Sequence, residues 1–157
     1  MKKIVSVIIC CAMLLSLAAC GSSKSNEKTL DMSSFTSKVM STVKYDDELI
    51  ALSEKVVDKY YDLSFDGLEE YTIYVSGSAA TTNELAVFKC SGSSAIEAAK
   101  TSVEKRLSEQ NELYASYLPA EVYRLENALV KTNGNYLLLS VSDDNETVEK
   151  LFDEALK

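Results

Sequence analysis

The chain has 157 residues, a formal charge of −8, 46% apolar side chains and no histidine. An acidic balance of this size repels nucleic-acid phosphates and anionic headgroups alike. Without histidine there is no Ser-His or Cys-His nucleophile and no imidazole to hold a transition metal.

Met1, Lys2 and Lys3 form a cationic start, Ile4 to Leu17 is an apolar run broken only by Ser6 and Ser16, and small residues lead into Cys20. This is the three-part plan of a secretory signal peptide. Leu17, Ala18, Ala19 and Cys20 resemble the lipobox of bacterial lipoproteins, which implies cleavage before Cys20 and lipidation of that residue. A spanning helix would need about 20 predominantly apolar residues, and the run meets Gly21, Ser22 and Ser23 first. One acyl chain holds marginally and two hold stably, at about 0.8 kcal/mol per buried methylene. The expected organisation is a signal peptide over 1–19, a flexible tether over 20–30 and a single α+β domain over 31–157. Cleavage leaves 138 residues, and loss of Lys2 and Lys3 takes the formal charge to −10. Cys10 and Cys11 leave with the peptide, so Cys90 is the one ordinary thiol and no intrachain disulfide is expected.

Beyond the tether, Ser33 and Ser34 precede a helical pattern of Phe35, Val39, Met40 and Val43, and Ser53 caps a second with Val56, Val57, Tyr60 and Tyr61. Asp46, Asp47 and Glu48 between them predict a solvated turn, since a calcium loop needs liganding oxygens at alternating positions and a glycine for the bend. Tyr71 to Val75 and Leu85 to Cys90 predict a β-hairpin across the turn-rich stretch from Gly77 to Thr82. Ser93 or Ser94 then caps the longest helix, with Ile96, Ala99, Val103, Leu107, Tyr114 and Tyr117 on its inner stripe. Pro119 ends it, because the residue before a proline is pushed out of the α region. A short helical turn over Ala120 to Leu125 leads to a second hairpin, Ala128 to Lys131 and Tyr136 to Val141, turning on Asn133 and Gly134. Asp143 or Asp144 caps a last helix with the stripe Val148, Leu151, Phe152, Ala155 and Leu156.

The order strand, strand, helix thus occurs twice after residue 68, a ββα pseudo-repeat. The expected fold class is α+β: an antiparallel sheet of two hairpins packed on two amphipathic helices, both on one face, preceded by two short helices.

Glu84, Leu85, Ala86, Val87, Phe88 and Lys89 in the second strand, Arg106 and Leu107 in the long helix, Tyr117, Leu118 and Pro119 after it, and Gly134, Asn135 and Tyr136 in the second hairpin carry a resemblance. The chain resembles the lipoproteins of Gram-positive clostridia that carry domain of unknown function 4358, over roughly residues 30 to 157. The resemblance implies an exported, anchored domain of that extent. The family has no assigned activity, so it implies no catalytic residue.

Three features could carry function. Glu84 beside Arg106 could orient a ligand or make a structural ion pair, the commoner role of a strand acid facing a helix base. Tyr114, Tyr117 and Tyr123 gather near Pro119, where they could form an interface or, for Tyr114 and Tyr117, finish the core stripe. Cys90 has no histidine to activate it, and unpaired cysteines are mostly buried, so an inert thiol is expected. The sequon Asn145, Glu146, Thr147 falls at a helix start and is set aside. The sequence therefore predicts no catalytic set, no cofactor and no metal. It predicts a lipoprotein on the outer face of the cell membrane, held by membrane lipid through acylated Cys20, that binds an envelope protein or other ligand. The alternatives are a histidine-free envelope enzyme working through carboxylates and a structural subunit of an envelope complex.

Overall fold

The computed structural model describes residues 29–157 apart from Ala79. The expected signal peptide, Cys20 and the expected tether through Lys28 lie outside the described residues. Leu30, assigned to the tether from composition, is buried, and its N–H donates to the Tyr136 hydroxyl at 3.1 Å.

Five strands form one antiparallel sheet: β1 (Leu49–Ala51), β2 (Leu68–Ser76), β3 (Glu84–Cys90), β4 (Leu129–Asn133) and β5 (Tyr136–Val141), in the order β1-β2-β3-β5-β4. The helices are α1 (Met32–Thr42), α2 (Glu54–Val57), α3 (Ser93–Tyr117), α4 (Val122–Glu126) and α5 (Asn145–Ala155), with a 3-10 turn over Pro119–Glu121. No helix among the described residues is long and apolar enough to cross a membrane.

Alternation along the two central strands sends side chains to opposite faces. Ala86, Phe88 and Cys90 of β3 and Leu137, Leu139 and Val141 of β5 meet Ala95, Ile96, Ala99 and Val103 of α3, together with Val57 and Tyr61. Leu85 and Val87 of β3 and Tyr136 and Leu138 of β5 meet α1 and α5 instead, where Phe35 and Phe152 pack with ring centroids 5.6 Å apart. The two amphipathic helices therefore cover opposite faces, not the same face. Antiparallel neighbours such as β3 and β5 are exchanged only by a two-fold axis normal to the sheet, and that axis would leave both helices on one side. The ββα order recurs along the chain without making two copies in space. The continuous apolar runs of β3 and β5 are the signature of strands covered on both sides.

Several local expectations shift. Asp31, not Ser33 or Ser34, caps α1, its carboxylate accepting from the Ser34 N–H at 2.9 Å. The helix after Ser53 ends at Val57, so Tyr60 and Tyr61 lie beyond it. The stretch after Asp46, Asp47 and Glu48 makes the short edge strand β1, which periodicity over three residues cannot reveal. Gly92, whose side chain can make no hydrogen bond, occupies the N-cap of α3. Asn133 pairs with Tyr136, so the second hairpin turns on Gly134 and Asn135, with Gly134 at φ +56°. Two signals match, in that α3 stops at Tyr117 before Pro119 and Asp144 caps α5 by accepting from the Thr147 N–H, whereas Ala155, expected on the stripe of α5, is exposed and Val148, Leu151 and Phe152 carry it.

Candidate functional site

Residues 102, 106, 110 and 114 are four apart and so lie along one side of α3. That side faces the start of β3 and the segment that follows α2. Arg106 and Glu84 do pair, and the pair is buried, not the exposed ion pair that a strand acid and a helix base more often make: both residues are under a tenth exposed. Arg106 donates from Nε and Nη2 to Glu84 Oε2 at 3.2 and 3.0 Å, and the Tyr61 hydroxyl donates to Oε1. The guanidinium carbon stands 4.8 Å from the centre of the Tyr60 ring and 5.9 Å from that of Tyr61.

Electrostatics follow from this closure. Burial works against the charge on Arg106, yet the Glu84 carboxylate outweighs it and lifts the guanidinium above its ordinary pKa. Burial, then the Glu84 charge, pushes the Tyr61 hydroxyl well above the usual phenol range. With both carboxylate oxygens engaged, Glu84 is an anchor for its neighbours and not a free acid or base.

Two cavities open on either side of this group and share Tyr60 and Arg106 in their walls. One, of about 200 Å³, is lined by Glu84, Gln110, Leu113 and Tyr114 among others. The other, of about 400 Å³, is lined by Tyr61, Ser102, Lys105 and Glu109 among others. Together they make a polar cleft along about three turns of α3.

The tyrosines divide. Tyr114 is buried, and its hydroxyl donates to the Thr81 carbonyl at 3.2 Å. Tyr117 does not finish the core stripe: it is 70% exposed, its ring meeting Tyr114 edge-on at 6.3 Å. Tyr123 on α4 is 72% exposed, and Leu113, one helical turn before Tyr117, is 56% exposed. The core takes up Tyr114 and, after the helix, Leu118 and Val122, while Tyr117 between them stays outside it. Glu84, Arg106 and Tyr114 thus line one cavity, Tyr117 stands against Tyr114, and Tyr123 stands on the adjoining helix.

A second charged cluster escaped sequence reading. Arg124 donates from Nε and Nη2 to Asp143 at 2.9 and 2.8 Å, from Nη1 to Glu121 and from Nη2 to Asp46. Glu121 Oε2 also accepts from the N–H and hydroxyl of Thr82. Asp46 is therefore a strut, not a purely solvated turn residue. Only the Glu121 to Arg124 spacing was visible in advance; the other contacts join distant segments. Cys90 is fully buried, and burial followed by the Glu69 charge raises its thiol, which leaves little thiolate for chemistry. The Asn145 amide donates to the Asn127 carbonyl at 2.9 Å.

Among the described residues no group of three or more acids or cysteines is placed to hold a metal ion. A family model described as "Domain of unknown function (DUF4358)" matches residues 42–142. That segment contains the whole sheet, α3 and the cleft, whereas all but the last residue of α1 and all of α5 fall outside it. No curated protein and no solved structure matches the chain.

Proposed function

We propose that this chain, which belongs to the DUF4358 family, is a binding module held on the outer face of the cell membrane by a lipid on Cys20, with its ligand seat in the cleft beside Arg106. The anchor rests on the cationic start, the apolar run and the Leu17 to Cys20 box. The observation that carries the binding reading is the pair of exposed side chains Leu113, in the wall of the cleft, and Tyr117, edge-on to the wall residue Tyr114, beside the Arg106 guanidinium and the Tyr60 ring. Exposed tyrosines supply large, rigid contact area with a hydroxyl handle and are enriched at interfaces. Glu84 has both oxygens engaged, so it is not itself a free carboxylate for the enzyme reading.

The test places a photo-reactive amino acid at position 117 in intact cells, with a control at Glu146 on the first turn of α5. Cross-links at 117 that vanish in Arg106→Lys and are absent at 146 are expected. Tyr117→Ala should melt within about 0.5 kcal/mol of the parent, as exposed substitutions do. Equal cross-linking at both positions, or a large loss of stability in Tyr117→Ala, would sink the assignment. For the anchor, a labelled fatty acid should enter the parent and not Cys20→Ala; equal labelling removes that part.

A further inference from the structure

β1 pairs with β2 only over Tyr74–Ser76, and the pairing ends where the Leu52 N–H donates to the Ile73 carbonyl at 2.9 Å. There the chain leaves the sheet through Ser53 into α2. The outer edge of β2 from Leu68 to Thr72 consequently has no strand beside it, although β3 is paired along its inner edge. Residues two apart in a strand point their peptide groups the same way, so the N–H and C=O of Tyr71 face outward with the Ile73 carbonyl. Alongside runs a groove of about 510 Å³, lined by Leu52, Ser53, Glu54, Leu68, Glu70 and Tyr71 among others.

The groove is acidic. Glu54 and Asp58 stand close enough to the Tyr71 hydroxyl to act on it, although burial is the larger influence. Glu69 is tied to Lys89 at 2.8 Å, and Lys89 also feels the charge of Glu70 from farther off, so Glu54 and Glu70 are the lining acids that make no direct ion pair among the described residues. Exposed edges are protected against stray pairing by charge, and a field of one sign selects what can approach.

We propose that the open half-edge of β2 takes an extended, basic segment of a partner polypeptide as an added strand. The outward N–H and C=O of Tyr71 supply the pairing, the acids select lysine or arginine at alternate positions, and the groove seats the side chains between them. The open stretch is about 16 Å long, room for a short strand. This surface lies apart from the cleft and stands or falls separately from it.

The test uses the full chain in detergent micelles and a fluorescent peptide of about six residues, the usual strand length, alternating Lys with Thr or Val. Two controls are its Glu counterpart and the Lys peptide N-methylated on alternate amides. Expected are saturable binding of the Lys peptide, at least roughly tenfold weaker binding of both controls, slower hydrogen exchange at the Tyr71 amide, and weaker binding by Glu54→Gln with Glu70→Gln. Tyr117→Ala should bind normally. The proposal is overturned if the N-methylated peptide binds as well as its parent, which would mean attraction without pairing, or if the Glu peptide does. It is overturned equally if the Tyr71 amide is already protected without peptide. Protection that rises with protein concentration would assign the edge to a second copy, and concentration-independent protection would assign it to a segment of the same chain.

Discussion

Arg106 and Glu84 show how a side chain's surroundings decide its role. A salt bridge in water contributes little, about 0–1 kcal/mol, whereas a buried pair is costly to break because the surviving charge is stranded. Arg106→Met leaves Glu84 with only the Tyr61 hydroxyl, and a loss of about 3–5 kcal/mol is expected from denaturant unfolding. Glu84→Gln combined with Arg106→Met removes the stranded charge and should recover part of that loss. A cost below about 1 kcal/mol for the single variant would mean that water reaches the pair. Tyr114 and Tyr117 carry the same lesson: three residues apart on one helix, they share a sequence pattern, yet one ring is buried and the other exposed.

At the level of elements, backbone geometry at two glycines sets how hairpin and helix meet the sheet. Gly134 lies at φ +56° with open space where a Cβ would stand, so strain comes from the backbone alone. Gly134→Val should cost about 1 kcal/mol or more, since a β-branched residue is strained at positive φ. Gly67 lies at φ +89°, and a Cβ there would stand 2.6 Å from Ser91 Oγ and 2.9 Å from the Ala95 Cβ. Gly67→Val adds that collision to the strain and should be the worse of the two in denaturant midpoint; the reverse order would mean that the junction between β3 and α3 can yield. Strand and helix identities were legible because each hairpin arm is dense in β-branched, aromatic or other apolar residues between turn signals and the stripe of α5 carries the helical period. The three residues of β1 were not, having too little length to show one.

Across the molecule, the core has a face on each side of the sheet, and a buried phenol sits on each. Tyr61 packs on the α3 face with its hydroxyl held well above the ordinary phenol pKa, by burial first and the Glu84 charge second. Tyr45 packs on the α1 and α5 face, where burial lifts it from 10.0 to about 12. In both cases the folded state holds its proton more tightly than the unfolded chain. The stabilisation is fully present below pH about 10 and is lost as pH rises from there through the folded-state values. The denaturant midpoint should therefore fall between pH 10 and 12, and less steeply in Tyr45→Phe. Near neutral pH that variant should lose little stability, because the buried Tyr45 hydroxyl and that of Ser140, its polar neighbour, do not meet in full hydrogen-bond geometry; removing a poorly satisfied group costs little. A midpoint flat up to pH 12 would show that both rings ionise without opening the core.

The sequence by itself determined the identity of the long strands and helices, the stop at Pro119 and the cap at Asp144, because each depends on residues a few positions apart. It also held a signal that went unread: β3 and β5 are apolar without alternation, which implies cover on both faces. Only the tertiary structure decided that α3 and α5 lie on opposite sides, that Tyr117 is left exposed and that Arg124 reaches Asp46 across 78 positions of chain. It also decided that β2 is left half unpaired. Periodicity tells which side of an element is apolar, but not what will cover it; that depends on how distant segments share one core.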